Sequence, residues 1–327
     1  TQGEQWDKLT AQYGSSAEDT FFTQLAKALK DRGLLDVLRK GIKIIPGIPF
    51  ALCYLRPASA LEPKRVEEYR ANILSVMDEV EYSQKNGNRL DVVLFLNGLP
   101  LATIEAKNLL TGSTFRHAEK QYRQDRAPAG EPLLTFKRGA LVHFAMDEDN
   151  VSMTTRLQNG KTRFLPFNRG RDGGAGNPDV DGEFRVAYLY RSGEWGDAIF
   201  SRAVMLDVIG QFMNLEVNGK TETMIFPRFQ QLDAVRKLMA HAGTHGAGRN
   251  YLIQQIELLI RNHGVAVDVG LSDTPMPVHF AVSGSAVAIP QEGVMDFSLR
   301  DVFDVPDLVT TNDDIVNGVM TRYDDGS

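Results

Sequence analysis

Residues 89–108, RLDVVLFLNGLPLATIEAKN, constrain the fold more than any other stretch of this chain. Two β-rich runs, Arg89–Leu96 and Leu101–Lys107, flank Asn97-Gly98-Leu99-Pro100. Asn and Gly tolerate the left-handed conformation that tight turns require, so the pattern predicts a β-hairpin. Side chains alternate along a strand, which puts Glu105 and Lys107 on one face and Ala106 on the other. If the loop is Asn97–Leu99, paired residue numbers sum to 196 and Asp91 stands directly opposite Glu105. A two-residue Asn97-Gly98 loop shifts that pairing by one, and the sequence leaves both registers open.

In the first register two carboxylates and an ammonium converge. Facing carboxylates repel, and a divalent oxygen-seeking cation would offset that repulsion. Mg²⁺ is held by one or two carboxylates plus water and substrate oxygens, and it activates phosphoryl chemistry. The same D-x13-E-x-K spacing also fits a solvated hairpin face with an ordinary Glu–Lys neighbour pair.

Elsewhere, residues 15–40 read as a helix started near Ser15-Ser16-Ala17-Glu18 and interrupted at Gly33. Strand-like pieces around Ile42, Ile44 and Ile45 lie between there and Pro57, and Glu62–Asn72 reads as a helix with Pro63 in its first turn. Residues 115–125 form a polar helix, and Leu133–Met146 is expected to hold two short strands around Arg138-Gly139. Five glycines and a proline between Phe167 and Gly182 mark a loop. Residues 198–216 repeat Phe200, Val204, Val208 and Phe212 at helical spacing. Pro227–Ala242 is expected as an amphipathic helix ended by Gly243, Tyr251–Asn262 as another helix, and residues 264–327 as strand and loop with an acidic end.

The composition excludes several classes. Hydrophobic residues make up 43% and charged residues 24% of 327, an ordinary globular balance. With 42 acidic against 36 basic residues and a net charge of −6, the chain is no general polyanion binder; DNA contact needs local clusters such as Arg116, Lys120, Arg123 and Arg126, or Arg169 and Arg171. A single cysteine, Cys53, rules out a disulfide framework and a Cys-rich zinc site, and it reads as core. No apolar run reaches the roughly 18 residues of a membrane span, and the start shows no signal-peptide pattern, so a cytoplasmic protein without membrane contact is expected. His241 and His245 lack the Glu of a zincin motif and read as structural or solvated.

The stretch Leu90–Asn108 resembles the nuclease core of type I restriction endonuclease motor (R) subunits. So do QYRQDR at 121–126, HFAMD at 143–147, Met153-Thr154-Thr155, and FLPFNRG at 164–170 running on to Gly176-Asn177-Pro178. These matches come in the family's order and span roughly residues 15–254. The resemblance implies an α/β (α+β) fold, a PD-(D/E)xK restriction-endonuclease-like mixed sheet flanked by helices. By position it makes Asp91 and Glu105 metal ligands, the Ala106 carbonyl a further ligand and Lys107 the catalytic lysine. It sets Gln121 and Tyr122 in a motif that supports DNA binding, where a plain helix surface is the alternative. Arg123, Arg169 and Arg171 are the adjoining DNA-contact candidates. Glu18 fits either a helix-borne acid of the site or a surface residue, the latter being favoured.

FPRFQQLDAVRKL at 226–238 is similar to the start of the family's helicase motor, with Gln231 at the place of its adenine-reading glutamine. The family's Walker A loop, which should follow residue 254, is absent. Gly160-Lys161-Thr162 and Gly219-Lys220-Thr221 carry Thr155 and Asn214 where a first glycine belongs, and they read as turns. Instead, Glu257–Gly264, Gly270–Phe280 and Leu299–Asp307 resemble the amino-terminal region of bacterial AMP nucleosidases over residues 255–317.

These readings imply a nuclease domain over 1–195, linker helices and the start of a Walker-A-less motor over 196–254, and an α+β tail segment over 255–327. The implied activity is Mg²⁺-dependent cleavage of double-stranded DNA as part of a type I restriction complex, with modification and specificity subunits as partners. ATP serves the full-length family but has no Walker A loop here. The alternatives are a non-catalytic assembly or DNA-binding fragment and an AMP-responsive fusion protein.

Overall fold

Asn97 and Gly98 take φ of 50° and 82°, the left-handed backbone a two-residue hairpin turn needs. They join strand β4 (Arg89–Leu96) to β5 (Leu99–Ala106) in the computed structural model, where Leu96 pairs with Leu99 and Phe95 with Pro100. The next pair is Leu94 with Ala102, which leaves Leu101 as an extra residue on β5. That bulge shifts the register by one, so Val93 faces Thr103 and Val92 faces Ile104. The turn is thus the two-residue one, yet the bulge restores pairs that sum to 196 along the rest of the hairpin. The next step of that register sets Asp91 opposite Glu105.

The structure describes residues 2–245, apart from 58–60, 84, 172–173 and 194–195, together with 266–270 and 279–283. It divides into two compact units, Thr1–Phe167 with Asp181–Phe226, and Asn168–Val180 with Pro227–Ser327.

In the first unit the chain begins with helices α1 (Gly3–Tyr13), α2 (Ala17–Arg32) and α3 (Leu34–Lys40) and the short strands β1 (Ile42–Ile44) and β2 (Ile48–Phe50). Gly33, at φ 85°, breaks the predicted helix into α2 and α3. Ser16 stands at the start of α2 but makes no side-chain cap. Leu9, Val37, Ile42, Ile44 and Phe50 form one core there, with Trp6 and Phe21 edge-on to Phe50. Helix α4 (Pro63–Arg70) leads into β3 (Leu74–Glu81).

The main sheet has the order β3-β4-β5-β6-β7-β8, with β6 (Val142–Met146), β7 (Val151–Thr154) and β8 (Leu165–Pro166). Only the β5–β6 pair is parallel, and its crossover carries α5 (Phe115–Gln124). Helix α5 covers one face through Ala118 and Tyr122, which join Val93, Leu134, Ala145 and Leu157 in a second core. On the opposite face Phe144 stacks edge-on with Phe167, Phe200 and Phe226. A mixed sheet flanked by helices is therefore the observed α+β architecture.

Leu133–Met146 holds one strand rather than two, because Pro132–Leu134 close a 3-10 turn and Gly139 follows, folded against the carbonyls of Pro132 and Leu133. Residues 198–216 split into α6 (Arg202–Asp207), a π-helical turn (Val208–Phe212) and the start of β9 (Asn214–Asn218). Strand β9 pairs with β10 (Thr221–Ile225) around Gly219-Lys220, which is the turn expected of that near-miss motif. Gly160-Lys161-Thr162 is also a turn, closed by a bond from the Gln158 N–H to the Thr162 hydroxyl.

In the second unit, α7 runs Phe229–His245, so it starts two residues late and passes through Gly243. The Gly170 N–H bonds the Gly176 carbonyl, closing the expected loop, and Arg171 pairs with Asp179 at 3.0 Å. Strands β11 (Ala266–Gly270) and β12 (His279–Ser283) pair antiparallel. The expected Tyr251–Asn262 helix and the acidic end lie outside the described residues. None of the described helices is long and apolar enough to cross a membrane.

Candidate active site

Asp91 on β4 and Glu105 and Lys107 at the end of β5 meet on the face that α5 covers. The Lys107 Nζ lies 3.6 Å from Asp91 Oδ2 and 3.8 Å from Glu105 Oε2. Asp91 Oδ2 accepts the Ala106 N–H at 2.8 Å, which fixes the carboxylate against the end of β5. The three residues grade from solvent inward: Asp91 and Lys107 are partly exposed, whereas Glu105 is fully buried.

Glu105 is held by a residue just beyond α5. Arg126 Nε donates to Glu105 Oε1 at 2.7 Å, and its Nη2 donates to the Arg89 carbonyl at 2.6 Å. Arg126 is itself only 7% exposed and lies over the Tyr82 ring. The other Glu105 oxygen, Oε2, is buried and accepts no hydrogen bond. Burial, reinforced by the charge of Asp91, raises the Glu105 carboxyl to about 7 even though Arg126 and Lys107 pull it down.

A buried carboxylate oxygen without a donor, facing a second carboxylate, suits a hard cation. Among the described residues no three His, Cys, Asp or Glu side chains gather as a metal group. The site offers two carboxylates, and Mg²⁺ takes one or two of these and completes its shell from carbonyl, water and substrate oxygen. The donor set therefore fits Mg²⁺, with Asp91, Glu105 and the Ala106 carbonyl as the groups that would hold it.

Beneath the site lies a polar chain in the core. The hydroxyls of Tyr122 and Thr103 share a 2.8 Å hydrogen bond, and Thr103 Oγ1 lies 2.7 Å from His143 Nδ1. Burial lowers His143 to about 3, so its ring is neutral, and burial together with the charge of Glu105 pushes the Tyr122 phenol well above its ordinary value. Tyr122 is 0% exposed, so the structure sets it under the sheet face and not on a helix surface. Tyr122→Phe is expected to cost about 1–2 kcal/mol, because it leaves a buried Thr103 hydroxyl one partner short. An unchanged thermal midpoint would remove that role.

Gln121 is half-buried on α5. Arg123 donates to Glu119 and to the Thr162 carbonyl and packs over Phe164, while Arg116 reaches the same buried Glu119, which also accepts from Ser152. These pairs leave Lys120 as the exposed cation of the cluster without such a contact. Arg169 and Arg171 belong to the second unit, where the Arg169 N–H caps onto Asn177 Oδ1. Gln231 Oε1 accepts the Arg228 N–H at 2.9 Å, at the start of α7. Glu18 is exposed on α2. Cys53 is buried and its thiol is pushed up to about 12 by burial, in keeping with a core residue. Sequence reasoning places Arg126 among the surface cations; only its buried contact with Glu105 reveals it as part of the site.

Asp147 fixes the helix that roofs the site. Its Oδ2 accepts the Phe115 N–H at the first turn of α5, while Oδ1 accepts the N–H groups of Asp149 and Asn150.

Two family models match the chain. Residues 246–327 match the bacterial AMP nucleoside phosphorylase N-terminus. No curated protein matches the chain. Residues 50–162, which contain Asp91, Glu105, Lys107 and Arg126, match the type I restriction enzyme R protein N terminus, so the segment that builds the site is similar to the amino-terminal region of restriction-enzyme R subunits.

Proposed function

We propose that the β4–β5 hairpin carries a Mg²⁺-dependent phosphodiesterase centre that cleaves double-stranded DNA as part of a type I restriction complex. The observation that carries this reading is Glu105 Oε2, a buried carboxylate oxygen without a hydrogen bond, set across from Asp91 and beside Lys107. Bound Mg²⁺ would supply Lewis-acid polarisation of a phosphoryl oxygen and a lower pKa for the attacking water.

The chain's own residues do the rest. Arg126 holds Glu105 by one oxygen, so the other is aimed and ready to bind. The Ala106 N–H orients Asp91. Lys107, partly exposed between the two carboxylates, can hold the attacking water or offset charge developing on the phosphoryl group. The restriction-complex reading brings the modification and specificity subunits as partners, with Lys120 and Gln121 as DNA contacts in the first unit and the Arg169–Arg171 loop in the second.

The test is a plasmid-nicking assay with and without Mg²⁺ on the full chain. Wild type is expected to nick only with the metal, and Lys107→Ala is expected to lose about a hundredfold in rate. Metal-independent nicking, or a Lys107→Ala rate equal to wild type, would sink the proposal.

The match at residues 246–327 supports a second reading, in which the chain responds to AMP. Calorimetric titration with AMP checks it, and no saturable heat would dismiss it.

A further inference from the structure

A second charged feature lies in the first unit, apart from the carboxylate site. A cavity of about 300 Å³ is lined by Arg32, Arg39, Lys40 and Lys137 against one carboxylate, Asp36. In a chain of net charge −6, four cations set against Asp36 and the Glu222 carboxylate that pairs with Lys137 still leave a local excess of positive charge. Asp36 is already shared, by Arg32 Nε at 2.5 Å and Lys40 Nζ at 2.5 Å. Lys137 pairs with Glu222 at 2.5 Å. Arg39 has no carboxylate at ion-pair distance among the described residues: Nε donates to the Ile209 carbonyl and Nη2 to that of Met213, which hold its guanidinium at the cavity. The apolar wall is Leu35, Leu215 and Met224, the last two paired across β9 and β10.

The backbone here is specialised as well. Lys137 is a non-glycine residue at φ 69°, a conformation that persists only where surrounding contacts impose it. Its carbonyl accepts the Leu34 N–H at 2.7 Å, at the start of α3. Its side chain crosses Gly33 so closely that a Cβ there would come within 2.6 Å of Lys137 Cγ. Gly33 thus admits the lysine to the cavity, and the carbonyls Arg39 grips belong to the π-helical turn and the residue after it, a local geometry that recurs at functional sites. Of the lining residues only Lys137 falls within the span 50–162 that matches the restriction-enzyme family.

We propose that this cavity binds a phosphoryl group, with Arg39, Lys40 and Lys137 contacting the oxygens and Leu35, Leu215 and Met224 packing against whatever carries it. A phosphoryl anion matches several convergent N–H donors of fixed and flexible kinds. The proposal does not rest on the reading of the carboxylate site.

Calorimetric titration of the full chain with pyrophosphate tests it. Wild type is expected to bind saturably, and a Lys40→Ala/Lys137→Gly double variant to bind about tenfold more weakly, a loss of about 1.4 kcal/mol. Glycine suits the backbone at 137, and an unchanged thermal midpoint confirms that the variant folds. Glu105→Ala is expected to bind pyrophosphate as wild type does, which separates this cavity from the carboxylate site. Competition by a short DNA duplex would identify the backbone phosphate as the source, whereas competition by a nucleoside monophosphate alone would identify a small molecule. Absence of saturable pyrophosphate binding, or equal affinity in the folded double variant, would overturn the proposal.

Discussion

Glu105→Gln is expected to make the metal-free protein more stable at pH 8 and to cut Mg²⁺-dependent nicking on the order of a thousandfold. The first effect follows from the Glu105 carboxyl being raised to about 7, from an ordinary 4.5, by burial and then by Asp91. An acid whose folded pKa is raised favours the native state while it is protonated. That contribution is complete below about 4.5 and is lost as pH climbs through about 7. Glutamine mimics the protonated form and has no such loss. Unfolding free energies of the two proteins from urea titration without metal should coincide near pH 4.5 and differ by about 2–3 kcal/mol at pH 8, in favour of the variant. Saturating Mg²⁺ should stabilise wild type and leave the variant nearly unmoved. Equal stabilities at pH 8 would mean that Glu105 is not held against its charge. The two expected outcomes, greater stability and lost nicking, are together what a site pre-formed for a cation predicts.

Arg126→Ala carries the other large effect. It removes the donor to the buried Glu105 Oε1 and to the Arg89 carbonyl. Breaking a buried ion pair from one side costs about 3–5 kcal/mol, because the remaining charge is left uncompensated. The loss should therefore be largest at pH 8, where Glu105 is ionised, and smaller at pH 5, where it is neutral. Arg126→Lys should recover only part of it, since an ammonium cannot span both acceptors with the geometry of a guanidinium fork. The Glu105→Gln/Arg126→Ala pair should be less destabilised than the sum of its single changes, the mark of a direct coupling. A loss of the same size at both pH values would assign Arg126 to packing alone.

Much of the hairpin is legible in the amino-acid sequence, because its determinants are local. Asn97-Gly98 specifies a tight turn, alternation assigns faces, and a motif read in order points to Asp91, Glu105 and Lys107. The helices α4 and α5 and the Gly33 break are legible for the same reason, through a proline in the first turn, a strongly polar periodicity and a residue free to take positive φ. Strand β3 is exposed along most of its length, Val76 and Met77 included, so no buried face marks it in the sequence. Helix α1 likewise buries only Leu9. Leu133 and Leu134 read as strand because they are apolar, but backbone closure at Pro132 decides their conformation.

Local sequence is thus enough to place a turn at Asn97-Gly98, to assign the strand faces and to point to the three charged residues, since these depend on neighbours a few positions away, while the length of the turn stays open. Tertiary structure alone decided the register and the electrostatics. The Leu101 bulge, invisible in the pattern, moves Asp91 opposite Glu105 under a turn that would otherwise set it one residue aside. Arg126, placed 21 residues from Glu105, looks like one more surface cation until the crossover through α5 brings it under the sheet. A buried charge is defined by what surrounds it in space, and that surrounding is assembled from segments that the chain order keeps apart.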